Sequence, residues 1–172
     1  MRYVELRRHT DNDGDALTPE GIAAAEEIGR GQLNPPYAAF MSSGAWRATQ
    51  MLEILRRAAG QDDVEIREVT ALRSSVEDRW RAAAQAAGKG ADIEAMRVVD
   101  PDLVEMESRL LGAALRHVLD ELPEGGRALV IGHSPTNEAA VLGLVGEAVP
   151  PLSKGAGVLV TESAGRYTAS PL

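Results

Sequence analysis

Residues 127–146 read RALVIGHSPTNEAAVLGLVG. After Arg127 come four apolar residues that end at Ile131, and this run predicts a strand buried on both faces. The Gly-His-Ser-Pro segment 132–135 predicts a turn into a helix that extends to about Gly146. A buried strand with a polar cluster at its carboxyl end, followed by a helix, is typical of layered α/β domains.

The rest of the chain repeats this alternation. Thr18 and Pro19 predict a capped helix start after the first strand, and Asn34-Pro35-Pro36 predicts the end of that helix. Further strands are predicted at 2–6, 37–41 and 64–69, with a final hairpin at 158–161 and 167–169. Further helices are predicted at 45–59, 76–87, 93–98 and 102–122. The pattern predicts an α/β domain with a largely parallel sheet, and its 172 residues suit a single domain, 1–172.

Composition excludes several classes of protein. The absence of cysteine excludes disulfide scaffolds, cysteine zinc sites and cysteine nucleophiles. A net charge of −8 argues against a nucleic-acid surface, and no apolar run is long enough to span a membrane. The charged residues among the first eight positions do not resemble a signal peptide, so we expect a cytoplasmic protein. The excess of arginine over lysine (16 against 2) indicates a bacterial genome rich in G and C.

Three polar clusters follow predicted strands, at 7–10, 42–50 and 130–136. The carboxyl ends of the strands form the ligand crevice in open α/β sheets, so the three clusters can meet at one mouth. They bring His9, His133, Arg8 and Arg47 together in an acidic protein, which predicts an anion pocket. Arginine matches phosphate oxygens with a planar fork, and helix N-termini attract anions. Strand alternation points Arg7 elsewhere, so we assign it a structural role.

The same segments resemble the motifs of a known protein family. The order Arg-His-Thr, Leu-Thr-Pro-Glu-Gly (17–21), Ser-Ser-x-x-x-Arg-Ala-x-Gln and Gly-His-Ser-Pro-Thr-Asn-Glu resembles the histidine phosphatase superfamily over nearly the whole chain. The short chain is similar to the compact phosphohistidine-phosphatase type. The resemblance implies a phosphoglycerate-mutase-like fold, a three-layer α/β/α sandwich with a mostly parallel central sheet.

The resemblance also implies a mechanism without metal or cofactor. His9 would take the phosphoryl group, Arg8 and Arg47 would hold its oxygens, and His133 would stabilise the transition state. Water would then hydrolyse phospho-His9. The partners expected are inorganic phosphate in the pocket and, as substrate, a phosphorylated small molecule or a phosphohistidine protein.

Two residues are candidates for the acid that protonates the leaving group. Mutase-like members place a glutamate in a Leu-Arg-Glu context after the third strand, where this chain has Ser74. Glu77, on the following helix, and Glu138, five residues after His133, are the candidates. Glu138 also suits a helix N-terminus simply as a first-turn acid.

Two other functions remain as alternatives. One is a catalytically weak phosphate-binding or regulatory domain, motivated by Ser74. The other is a mutase, which we rank lower because the compact chain leaves little room to close over a phosphorylated acid. Among the remaining residues we expect Trp46, Trp80 and His117 to pack in the interior, and the acidic loop 11–15 to be solvated.

Overall fold

Eight strands and six helices follow one another along the chain, and the computed structural model describes all 172 residues. The strands are β1 (Arg2–Arg8), β2 (Asn12–Asp13), β3 (Ala16–Leu17), β4 (Ala39–Ser42), β5 (Ile66–Glu68), β6 (Arg127–Gly132), β7 (Gly157–Ser163) and β8 (Arg166–Pro171). The helices are α1 (Pro19–Gly31), α2 (Trp46–Ala58), α3 (Glu77–Ala87), α4 (Ile93–Val99), α5 (Pro101–Glu121) and α6 (Thr136–Val145). No helix is long and apolar enough to cross a membrane.

Six strands form the central sheet, in the order β5-β4-β6-β1-β7-β8. The first four are mutually parallel, whereas β7 pairs antiparallel with β1 and β8 antiparallel with β7. The predicted, mostly parallel sheet is therefore confirmed. Its central strand β6 is buried from Ala128 onward, as the apolar run at 128–131 predicted.

Helices cover both faces of this sheet, which makes three layers. Leu129 and Ile131 of β6 face α1 and α2, where Leu52 and Leu55 pack against them. The alternate residue Val130 faces the larger core, which α5 and α6 dominate. Burial on both faces explains why β6 has no polar alternation.

A close contact between α5 and α6 depends on two glycines. A Cβ atom at Gly143 would lie 1.7 Å from the Ser108 carbonyl oxygen, and one at Gly112 would lie 2.7 Å from the backbone of Gly143. The helices thus approach to backbone contact, which fixes the position of α6 and of the turn that precedes it.

The first helix begins as predicted. The Thr18 side chain caps α1 by accepting a hydrogen bond from Gly21 N at 3.0 Å. Thr18 Oγ1 also donates to the Asp11 carboxylate at 2.7 Å, and Thr10 Oγ1 donates to the Gly21 carbonyl at 2.7 Å. A Cβ at Gly21 would lie 2.0 Å from the Asp11 carbonyl oxygen. The Thr-Pro-Glu-Gly segment therefore anchors the loop that follows β1.

Two predictions about packing were wrong. Trp46 is 47% exposed at the start of α2, whereas Trp80 is buried as expected. The His117 side chain is 73% exposed and lies 3.1 Å from Glu121. The buried stripe of α5 passes through Leu111, Leu115 and Val118, so His117 lies just outside the helix face that packs.

Candidate active site

The three polar clusters meet at one edge of the sheet. In the parallel register Arg8 of β1 lies opposite Gly132 of β6, and Ser42 of β4 lies opposite Ile131. The hydrogen-bond ladder continues one residue further, since His9 N donates to the Gly132 carbonyl at 3.2 Å. The strand ends therefore carry their next residues into a common cleft.

This cleft has a volume of about 460 Å³. Its four cationic residues are Arg8, Arg47, Arg81 and Lys154, and Glu77 is its one acidic residue. In a protein of net charge −8 this concentration of positive charge favours an anionic ligand. The volume suits a small molecule or a single side chain.

His9 lies in the cleft with one ring nitrogen unprotonated. Its Nδ1 lies 2.8 Å from the Thr10 carbonyl oxygen, which can only accept, so Nδ1 carries the proton and Nε2 carries the lone pair. Burial lowers the pKa of His9 to about 4, and the charges of Arg47 and Arg8 act in the same direction. The imidazole is therefore neutral near pH 7, the form that can attack phosphorus.

His133 lies beside it, with the two ring centroids 5.3 Å apart and nearly perpendicular planes. Its Nε2 is 2.7 Å from Ser43 Oγ, while Nδ1 faces the Arg47 guanidinium at 3.4 Å. Because arginine can only donate, Nδ1 accepts and Nε2 carries the proton. Burial, followed by the charges of Arg47 and His9, lowers the pKa of His133 to about 3.

Arg47 connects the two histidines. Its Nε donates to His9 Nε2 at 3.3 Å, and its NH2 group donates to His133 Nδ1. Its NH1 group donates to Asp15 at 2.9 Å, and the same carboxylate accepts from the backbone N–H groups of Trp46 and Arg47. Asp15 thus caps α2 and orients Arg47, while its side chain remains 59% exposed, as predicted for a solvated loop.

Arg8 and Glu138 are linked through the backbone of Leu152. Arg8 lines the cleft and donates to the Leu152 carbonyl at 2.8 Å. Glu138 is 2% exposed and accepts from Ser134 Oγ at 2.5 Å and from Leu152 N at 2.9 Å. Burial raises the pKa of Glu138. Glu138 is outside the lining of the cleft, which places it behind Arg8 and Ser134 and away from a leaving group.

Glu77, the other candidate acid, does line the cleft. Its side chain is 38% exposed, and its Oε1 accepts from Arg73 Nε at 2.8 Å. Ser74 lines the same wall and is 7% exposed. Of the two carboxyl groups that the sequence suggested, only Glu77 has access to the cleft.

Several lining residues were missed by the sequence analysis. Lys154 lies in the loop before β7, where its Nζ contacts Asp11 Oδ1 at 2.7 Å, and Arg81 lies on α3. Neither belongs to a strand-end cluster, so topology alone gave no signal for them. Arg7 is buried away from the cleft and donates to the Gly155 carbonyl at 3.0 Å, in agreement with its structural assignment.

No cluster of three or more histidine and carboxylate side chains is arranged to hold a metal ion. The cationic lining could instead hold the phosphate group of a ligand.

No protein-family model and no curated protein matches the sequence. Solved structures do match in fold. Phosphoglycerate mutase from Bacillus anthracis has a TM-score of 0.75 at 16% identity, covering 99% of this chain and 92% of that one. Phosphoserine phosphatase from Entamoeba histolytica, in complex with 3-phosphoglyceric acid, has a TM-score of 0.73 at 15% identity, with 99% and 96% covered.

The protein histidine phosphatase SixA, complexed with tungstate, has a TM-score of 0.60 at 19% identity, with 98% and 94% covered. At identities this low the likeness shows the fold alone, and the chemistry has to be argued from the residues of the cleft. On these likenesses and the sheet order described above, the chain has the phosphoglycerate-mutase-like fold.

Proposed function

We propose that this protein is a member of the histidine phosphatase superfamily, a phosphatase that works without a metal ion through a phospho-His9 intermediate. The observation that carries the proposal is the neutral His9, whose unprotonated Nε2 accepts from the Arg47 guanidinium in a cleft with four cationic residues. The substrate is a phosphomonoester or a phosphoramidate, the latter including phosphohistidine in a protein.

In the first step the phosphoryl dianion binds among Arg8, Arg47 and Lys154 and takes over hydrogen bonds that Arg47 now makes to the two histidines. His9 Nε2 then attacks phosphorus, and the arginines hold the oxygens on which charge develops. Positioning and charge stabilisation provide most of the catalysis in this class of reaction.

His133 changes its role when the anion binds. In the free site burial, together with the charges of Arg47 and His9, holds its pKa at about 3. A bound dianion offsets those charges, which favours protonation of Nδ1, and the imidazolium then donates to a phosphoryl oxygen. The Ser43 hydroxyl on Nε2 keeps the ring oriented throughout.

In the second step water attacks phospho-His9 and releases inorganic phosphate. Glu138 supports both steps from behind by holding Ser134 and the backbone of Leu152, the residue whose carbonyl oxygen binds Arg8. The neighbours of the same fold named phosphoserine phosphatase and protein histidine phosphatase support the reaction class.

The decisive experiment is hydrolysis of p-nitrophenyl phosphate in excess EDTA by wild type, His9→Ala and His117→Ala. We expect EDTA-resistant turnover that falls at least 1,000-fold in His9→Ala and stays unchanged in His117→Ala, since His117 lies outside the cleft. Rapid acid-free quenching with labelled substrate should trap an alkali-stable, acid-labile phosphoenzyme.

Turnover that survives in His9→Ala would refute the mechanism. Vanadate binding, measured as a thermal shift, without turnover of any phosphate ester would instead favour a phosphate-binding regulatory domain.

A further inference from the structure

A buried carboxyl group lies directly behind one wall of the cleft. Glu107 of α5 is 3% exposed, and its Oε1 accepts hydrogen bonds from the Ser74 hydroxyl and from Trp80 Nε1, the latter at 3.0 Å. Ser74 and Trp80 both line the cleft, whereas Glu107 does not. Burying a carboxyl group is costly, and this one is held at a reactive cleft by two neutral donors.

The charged groups on the surrounding elements are engaged elsewhere. Arg79 of α3 binds the Asp100 carboxylate with two hydrogen bonds of 2.8 Å, and Arg73 binds Glu77. Glu107 takes part in no ion pair. The hydrogen bonds of its Oε1 therefore come only from Ser74 and Trp80.

Ser74 connects this carboxyl group with the cleft. Its Oγ accepts a hydrogen bond from Val76 N at 3.0 Å and donates to Glu107, and the residue itself belongs to the lining of the cleft. A hydroxyl group can receive a proton from one partner while it donates its own to another. Ser74 is therefore placed to pass a proton between Glu107 and a ligand in the cleft.

We propose that Glu107, acting through the Ser74 hydroxyl, is the source of the proton that the leaving group takes up. This inference rests on the proposed function and assigns its missing acid. Ser74 is then the residue that touches the substrate, and Glu107 acts through it.

The proton transfers balance over the two steps. In the structure Ser74 donates to Glu107 Oε1, so the Ser74 hydroxyl first turns its hydrogen toward the leaving atom, and Oγ then accepts from the protonated Glu107 carboxyl group. As His9 Nε2 forms its bond to phosphorus and the bond to the leaving oxygen or nitrogen breaks, Ser74 Oγ–H gives its proton to the leaving atom and Glu107 gives its own to Ser74. When water attacks phospho-His9, the proton it loses returns through Ser74 to the Glu107 carboxylate. The cycle ends with both side chains as they began.

Neither acid suggested by the sequence fits this role as well. Glu77 Oε1 is occupied by Arg73 at the half-exposed rim, and Glu138 lies outside the lining. Ser74 instead lies in the wall itself, at the position where the resemblance places a glutamate.

The test is the dependence of activity on the leaving group. Phenyl phosphate needs protonation of its leaving oxygen far more than p-nitrophenyl phosphate does, so kcat/KM is measured on both. We expect Ser74→Ala and Glu107→Gln to lose about 100-fold on phenyl phosphate and less than threefold on p-nitrophenyl phosphate. Ser74→Thr keeps the hydroxyl and should restore activity on phenyl phosphate. The alkaline limb of the pH profile for phenyl phosphate should also disappear in Glu107→Gln.

Equal losses on the two substrates in Ser74→Ala would overturn the inference, because a structural role does not discriminate between leaving groups. A selective loss in Glu77→Gln, with none in Ser74→Ala, would assign the proton to Glu77 instead. Both results would leave the His9 mechanism intact. Failure of the His9 mechanism would be seen in a different experiment, as turnover of p-nitrophenyl phosphate that survives in His9→Ala.

Discussion

The two cleft histidines should make the stability of the protein fall steeply on mild acidification. In the unfolded chain each titrates near pH 6.5, whereas in the folded protein the pKa is about 4 for His9 and about 3 for His133. Because the folded pKa is depressed, the stabilisation is complete above pH 6.5 and is lost as the pH falls toward 4. The unfolded state binds protons that the folded state excludes.

The magnitude follows from these values. Between pH 7 and pH 5 the folded imidazoles stay neutral while the unfolded ones become charged, which lowers the free energy of unfolding by about 2 kcal/mol per histidine. Glu138 acts in the opposite direction, since burial raises its pKa. The Glu138 contribution is present in both wild type and a single histidine variant, so it cancels when the pH dependences of the two proteins are compared.

Urea denaturation at pH 7 and pH 5 in phosphate-free buffer, followed by tryptophan fluorescence, measures the effect. His9→Asn should lose about 2 kcal/mol less than wild type between the two pH values, whatever its stability at pH 7. His117→Asn is the matched control and should behave as wild type, because that side chain is 73% exposed. Identical pH dependence in wild type and His9→Asn would mean that His9 titrates normally, and the argument for a neutral nucleophile set by burial would fail.

Three further outcomes are expected. Arg47→Ala should lower kcat/KM for p-nitrophenyl phosphate by about 100- to 1,000-fold, and Arg47→Lys should recover only part of the loss because lysine lacks the planar fork; steady-state kinetics measures both. Asp15→Asn should tighten vanadate binding about fivefold, seen by titration, because a carboxylate that competes for Arg47 is removed, while the melting temperature falls with the weakened cap of α2. Gly143→Ala should destabilise the protein by about 3 kcal/mol in urea, since the new Cβ would meet the Ser108 carbonyl at 1.7 Å, whereas Gly31→Ala, in open space on α1, should be neutral or stabilising.

The backbone was predictable where local chemistry and long-range packing agree. The apolar run at 128–131 is buried on both sides of β6, and Thr18 caps α1 as its position before Pro19 suggested. Predictions failed where only the tertiary neighbours decide. The alternating segment 64–69 contributes only the short edge strand Ile66–Glu68, and the segment 12–17 contains the two-residue strands β2 and β3, which no periodicity can reveal.

The residues of the candidate site were likewise predictable only in part. A rule of topology, that parallel strands end at a common edge, was enough to bring His9, Arg47 and His133 together. Lys154, which completes the cleft, and Asp15, which orients Arg47, come from loops whose paths follow no such rule. Their sequence carries charge but no periodic pattern, so only the folded chain shows where that charge lies.

The wall containing Ser74 shows the limit of inference from motif position most clearly. A serine at the position where the resemblance places an acid suggests, from sequence alone, that proton donation is weak or absent. The folded chain places Glu107, 33 residues further along and on another element, in contact with that serine. A carboxyl group can thus serve the same cleft from α5 instead of from the loop after β5, and the hydroxyl group bridges the distance. The apparent loss at position 74 is then a change in the path of the proton, and Ser74→Ala and Glu107→Gln should fail on the same substrates because they interrupt one path.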